Sequence, residues 1–157
     1  MEQNGGSPKL QVAAKAIIIN GAGQVLVLRE SAAHATNTRA GYYQLPGGRL
    51  EPGEGFAAGL QREVQEETGL TVDALEPFEV GEWYPVIQGV PHQIVAIFML
   101  CSARGDTQAV TLSQEHDAYM WVDASNRGQC NLMTPDDSVI DKYIARLTFA
   151  QVESSIA

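Results

Sequence analysis

Cysteine is scarce in this chain: Cys101 and Cys130 are the only two among 157 residues. Two thiols are too few for a disulfide scaffold or a zinc cluster. A reducing, cytoplasmic setting is the expectation. Long apolar runs are missing as well. The longest, residues 94–101, has eight residues, whereas crossing a bilayer takes about 20. No transmembrane helix is expected. Residues 1–8 are polar and Gly-rich, without the apolar stretch of a signal peptide. They read as a flexible leader, placed at 1–10 and followed by one domain over 11–157. Basic residues are few, 10 against 19 acidic ones, for a formal charge of -9. That balance argues against long nucleic acid held on a basic face. A small phosphorylated ligand remains compatible with it, provided metal ions bridge the two.

What is present describes one globular domain. Apolar residues make up 45% and charged residues 18%. A chain of this length buries roughly two thirds of its unfolded surface. Residues 12–19 are apolar and β-branched, and residues 24–29 follow the turn cluster Asn20-Gly21-Ala22-Gly23, which predicts a hairpin. Residues 31–41 read as a loop and 42–45 as a short extended piece stopped by Pro46-Gly47-Gly48. Residues 48–55, rich in Gly and Pro, read as a second loop. Residues 56–68 have helical spacing, with Gly69 as the stop. Strands are predicted at 70–80, 93–102 and 118–122, with a turn at 104–108. Thr134-Pro135-Asp136-Asp137 predicts a helix start, with Thr134 as N-cap and the two acids on the positive end of the dipole. Val139, Ile140, Tyr143, Ile144 and Leu147 then supply an apolar face for a closing helix that packs on the sheet.

The first helix is poorly designed for stability alone. At about 100° per residue, Phe56, Ala57, Leu60 and Val64 share a docking face, with Glu63, Glu66 and Glu67 on an adjoining stripe. Like charges at this spacing repel. Glu66 and Glu67 sit at the negative end of the dipole. Gly59 costs about 1 kcal/mol against alanine in a helix interior. Several local rules broken in one turn point to a functional site. A solvated acidic face is the plain alternative; the adjoining buried face and the preceding Gly-rich loop weigh against it. Clustered carboxylates need a cation, and hard oxygen donors in a cleft suit Mg²⁺ or Mn²⁺. The residues alone thus point to metal-assisted chemistry on a phosphate compound.

Gly48, five residues, Glu54, seven residues, then Arg62-Glu63-Val64-Gln65-Glu66-Glu67-Thr68-Gly69-Leu70 resembles a complete Nudix box, the signature of the MutT-like Nudix hydrolases. Seven single-identity and two aliphatic positions match. With each identity at roughly one in fifteen by composition, chance agreement is on the order of 10⁻⁸ per start position. The resemblance implies an α/β fold with a mixed β-sheet sandwiched between α-helices. It also implies hydrolysis of a nucleoside diphosphate linked to another group by water and one to three divalent cations, Mg²⁺ or Mn²⁺. Glu66 and Glu67 would be the principal metal ligands, Glu63 a further ligand or a base, and the Gly48 carbonyl another ligand. Arg62 would pair with Glu54 or a neighbouring carboxylate and hold the site in register. No separate organic cofactor is implied.

Outside the box, Glu115 precedes the Trp121 strand and resembles a last metal ligand or base; a solvated loop acid is the alternative. The segment 115–121 also resembles one in Nudix enzymes acting on nucleotides, some diadenosine polyphosphate hydrolases among them. His116 adjoins Glu115, although a plain surface histidine is the simpler reading. His34 and His92 belong to no motif. Arg39, Tyr43 and His116 are the candidate substrate contacts, with Tyr42, Trp83 and Tyr84 as further aromatics near the cleft, and a packing role weighs equally for each aromatic. Cys101 reads as a buried strand residue, not a nucleophile.

The favoured substrate is a nucleoside triphosphate or a dinucleoside polyphosphate. The alternatives are ADP-ribose or a nucleotide sugar, and, in another class, a non-catalytic Nudix-fold nucleotide-binding regulator. Isomerase chemistry on an isoprenoid diphosphate would need catalytic residues with no counterpart found in this sequence. The expected partner is a small nucleotide, with no long nucleic acid and no membrane; a homodimer stays open.

Overall fold

The computed structural model describes residues 6–33, 38–107 and 109–156. Residues 1–5 of the expected leader, His34 in the expected 31–41 loop, and Gln108 in the expected turn lie outside that set. The first strand, β1 (Lys9–Ile19), starts inside the stretch read as leader, so Lys9 and Leu10 belong to the sheet. Asn20 closes the hairpin to β2 (Val25–Glu30): its Oδ1 accepts the N–H groups of Ala22 and Gln24, each at 3.0 Å. This is an Asx turn, in which the side chain does the work of a backbone turn.

The strands form one mixed sheet with the order β3-β2-β1-β7-β5, where β3 is Tyr43–Gln44, β5 is Thr71–Trp83 and β7 is Val90–Arg104. The central pair, β1 and β7, is parallel in register from Lys9↔His92 to Ile19↔Ser102. The β2, β5 and remaining pairings are antiparallel. β8 (His116–Val122) adds to β2, and the short β6 (Val86–Ile87) to β7.

A second departure from the sequence reading is β4 (Gly47–Arg49). The glycines expected only to stop a strand and open a loop pair antiparallel with β1, Lys15↔Gly47 to Ala13↔Arg49. Glycine has no strand preference of its own; the pairing is imposed by β1.

Both faces of the sheet are covered. The run Ala13–Ile18 of β1 is therefore buried without interruption, as in strands packed on two sides. Ala13 and Ile17 join Ile94 and Phe98 beneath α2 (Asp136–Ile156), against Val139, Ile140 and Tyr143. Ala14, Ala16 and Ile18 join Leu26 and Leu28 beneath α1 (Phe56–Thr68), against Leu60 and Val64. Each fully buried Leu or Val contributes about 1.5–3 kcal/mol by transfer from water. The sandwich of helices on a mixed sheet is the expected one.

The helix ends differ in how they were read. α1 has the predicted bounds, and Gly69 takes φ 70° while its N–H reaches the Gln65 carbonyl. Ala57, expected on the docking face, is exposed; the buried line is Gly59, Leu60, Val64, Glu67 and Thr68. Glu67 follows Leu60 by seven residues, a net rotation of about 20°. It therefore lies on the buried face, not on a stripe beside it. α2 starts at Asp136, one residue after Pro135, and its far end exposes Phe149, Val152 and Ile156. Among the described residues no helix is long and apolar enough to cross a membrane.

Candidate active site

The site is built where α1 meets the strap Leu45-Pro46-Gly47-Gly48. Gly47 adopts φ 132°, and a Cβ there would lie 2.2 Å from the Ala14 carbonyl oxygen, so only glycine fits. The close approach puts the Gly47 N–H 2.8 Å from Glu67 Oε2. A Cβ on Gly48 would sit 2.7 Å from the Glu63 carboxyl carbon. The two glycines thus let backbone touch both carboxylates.

Arg62 organises the rest. Its Nε and Nη2 donate to the two oxygens of Glu54 at 2.6 and 2.9 Å, a bidentate pair and one of the two pairings the resemblance implied. Its Nη1 donates to Glu63 Oε1 at 2.9 Å and Glu66 Oε2 at 3.3 Å. Glu54 also accepts the Glu51 N–H at 2.9 Å. The Arg62 hydrogen bonds, then that backbone donor, hold the Glu54 carboxyl near 2. Gly59 is explained by the same pair: a Cβ would come 2.4 Å from Leu50 Cδ2 and 2.8 Å from Glu54 Oε2.

The three box glutamates occupy different environments. Glu66 is exposed, Glu63 half-buried and Glu67 buried. Burial pushes Glu67 up to about 8, against the pull of the Gly47 N–H and the positive charge of Lys15. Burial raises Glu63 too, opposed by Arg62. Glu115 is exposed in the loop before β8, and its charge reaches both Glu63 and Glu67. The structure therefore gathers Gly48, Glu54, Arg62, Glu63, Glu66, Glu67 and Glu115. Among the described residues no three His, Cys, Asp or Glu side chains are grouped so that they could hold a metal ion as they stand. Arg62 stands between the carboxylates instead. The donors are carboxylate and carbonyl oxygens, which fit a hard divalent cation.

The outer candidates fare differently. His116, read most simply as a surface histidine, is buried; its Nε2 lies 3.2 Å from Gln44 Nε2 and its Nδ1 3.4 Å from Ser113 Oγ. Burial lowers its pKa. Tyr43 packs half-buried against the α2-side core. Arg39 is exposed, with its guanidinium 3.7 Å from Glu30. Trp83 and Trp121 are partly buried and pack against the core, on the α2 and α1 sides respectively. Tyr84 is exposed. Burial pushes the Cys101 thiol up to about 12, which leaves no thiolate for nucleophilic chemistry.

Sequence reading missed a buried polar group behind the strap. Lys15 Nζ lies 3.2 Å from Asp136 Oδ2, and both side chains are about 95% buried (6% and 5% exposed). Gln44 accepts from Lys15 at 3.4 Å and donates to Glu30 at 2.6 Å. The available signal was a lysine inside the apolar run Val12-Ala13-Ala14-Lys15-Ala16-Ile17. Asp136, read as a dipole acid, is instead an interior partner of that lysine.

Comparison with known proteins bears on the family and the fold. The family described as NUDIX domain matches residues 9–144. A protein of Enterobacter sp. (strain 638) named nucleoside triphosphatase NudI is 29% identical over 116 residues, covering 71% of this chain and 76% of that one. A Myxococcus xanthus protein named octanoyltransferase is 35% identical over 85 residues, or 54% of this chain, but the match spans only 24% of that protein. The crystal structure of a MutT protein from Methanosarcina mazei Go1 superposes with a TM-score of 0.70 at 28% identity, covering 88% of this chain and 96% of that one.

Proposed function

The chain belongs to the Nudix family of hydrolases, and on that premise we propose that it is a Mg²⁺-dependent pyrophosphohydrolase of nucleoside triphosphates or dinucleoside polyphosphates. The observation that carries this reading is the acidic surplus around one arginine: Glu54, Glu63 and Glu66 all contact Arg62, with Glu67 beside them on the glycine strap. Glu66, Glu67, Glu63 and the Gly48 carbonyl would hold the metal. When bound, the ion supplies charge neutralisation at the phosphoryl oxygens and acidifies an attacking water. Glu115, or Glu63 where it does not ligate the metal, would accept the proton of that water. Arg62, anchored on Glu54, keeps Glu63 and Glu66 aimed at one place. The triphosphatase name of the Enterobacter relative supports the triphosphate side of the proposal.

The test is phosphate-product release with Mg²⁺ across nucleoside triphosphates, dinucleoside polyphosphates, ADP-ribose and nucleotide sugars, run beside Glu67→Gln. Loss of a metal ligand worth several kcal/mol lowers kcat about 10³-fold. Preference for ADP-ribose or a nucleotide sugar would overturn the substrate class. A folded wild type inert on the whole panel would favour a nucleotide-binding regulator.

A further inference from the structure

The buried pair Lys15 and Asp136 takes no part in the chemistry above, yet it reaches the catalytic strap. Asp136 Oδ2 accepts the Leu45 N–H at 2.7 Å and is held by Lys15 Nζ at 3.2 Å. Two residues on, the Gly47 N–H donates to Glu67 at 2.8 Å. Between them the Pro46 carbonyl accepts the Ala16 N–H at 2.8 Å. A strap four residues long is therefore fixed from three directions: by α2 at Leu45, by β1 at Pro46 and by α1 at Gly47.

Stability does not explain this pair. Two buried charges lose hydration that their attraction barely repays, and well-packed apolar replacements are often as stable. What the pair supplies is aim: a fixed cation holds one carboxylate oxygen on one backbone N–H. The strap cannot relax sideways either, since Gly47 already lies against the Ala14 carbonyl. A shift at Leu45 would thus pass to Gly47 and to the carboxylate it binds.

We propose that Asp136, aimed by Lys15, is a positioning residue: through the Leu45 N–H it fixes the Gly47–Gly48 strap and thereby Glu67. The proposal rests on the reading of Glu67 as a metal ligand. Supporting groups of this kind change metal affinity or activity 10–100-fold when removed.

The experiment titrates Mn²⁺ into wild type, E67Q, D136N and D136A, reading free Mn²⁺ by electron paramagnetic resonance, with kcat and nucleotide KM measured in parallel. D136N keeps an acceptor oxygen for Leu45 and should hold Mn²⁺ affinity within about threefold; D136A should lose tenfold or more. In D136A kcat should fall with KM unchanged. If D136A does not fold, K15M/D136L is compared with K15M/D136N, which lacks the same lysine but keeps the acceptor, and the same loss is expected of the first relative to the second. Wild-type Mn²⁺ affinity in a folded D136A, or equal affinity in K15M/D136L and K15M/D136N, alongside a weakened E67Q, overturns the positioning role alone. A raised KM with kcat held also overturns it, by making Asp136 a substrate contact. Unchanged affinity in E67Q overturns the ligand assignment and this proposal with it.

Discussion

Arg62 and Lys15 are both cations set among carboxylates, yet they keep unlike company. The Arg62 side chain is 29% exposed and contacts three acids, Glu54, Glu63 and Glu66. Lys15 is 6% exposed and faces one acid, Asp136, and one amide, Gln44. The first group carries surplus negative charge at a solvent-facing rim; the second is balanced and shut in. The surplus is what a divalent cation would neutralise on entry. The balanced pair has nothing to exchange, and its role is to hold backbone in place. Charge in a folded protein therefore serves chemistry where it is unpaired and reachable, and geometry where it is paired and buried.

The comparison breaks most visibly at Lys15. Lys15→Met leaves the Asp136 charge buried without its partner, and chemical denaturation should show a loss of about 3–5 kcal/mol. Lys15→Met with Asp136→Leu should recover most of that loss. If Lys15→Met alone is neutral, the pair is not shut in and the contrast fails.

A smaller effect sharpens the Arg62 side. The folded Glu54 carboxyl titrates near 2, below its ordinary 4.5. Its contribution to stability is therefore present above pH 4.5 and is lost as pH falls toward 2. Thermal melts of the metal-free protein should fall across that window, and Glu54→Gln should fall less steeply there. Equal slopes would mean that the Arg62 grip does not survive in solution.

The smallest effect belongs to a pair outside both groups. Arg104 and Asp73 bridge β7 and β5 with both side chains well exposed. Such pairs contribute little once water and salt screen them. Arg104→Ala should leave the melting midpoint within measurement scatter, and a clear drop would show that exposure is a poor guide to the worth of a charge in this fold.

How much of this was legible in the sequence follows from the range of each interaction. α1 was readable end to end because its stop is local: Gly69 supplies the left-handed residue that closes the helix. The resemblance to the box implied that Arg62 would pair with Glu54 or a neighbouring carboxylate, and it contacts both kinds. The depth of Glu67 was not, because the face of a helix that turns inward is chosen by the strap it meets. Strand β4 was hidden because Gly47 and Gly48 have no preference for extended pairing, and β1 recruits them. Asp136 looked like an ordinary helix-start acid until the fold brought Lys15 and Leu45 to it. His116 was misread for the same reason, since Gln44 reaches it only through the β2–β8 and β2–β3 pairings.

The parallel pairing of β1 with β7 also orders events in time. Neighbouring parallel strands cannot be joined by a tight turn, and here the closure runs from Ile19 to Val90. Closing so long a loop is entropically slow relative to local helix and hairpin formation. Every residue from Gly48 to Glu67 lies inside that loop, while the strap they lean on is seated against β1. Local pieces such as α1 and the first hairpin can form early, while the β1–β7 ladder waits for that long closure. The return of helical signal during refolding should thus precede the protection of the β1–β7 amides from hydrogen exchange.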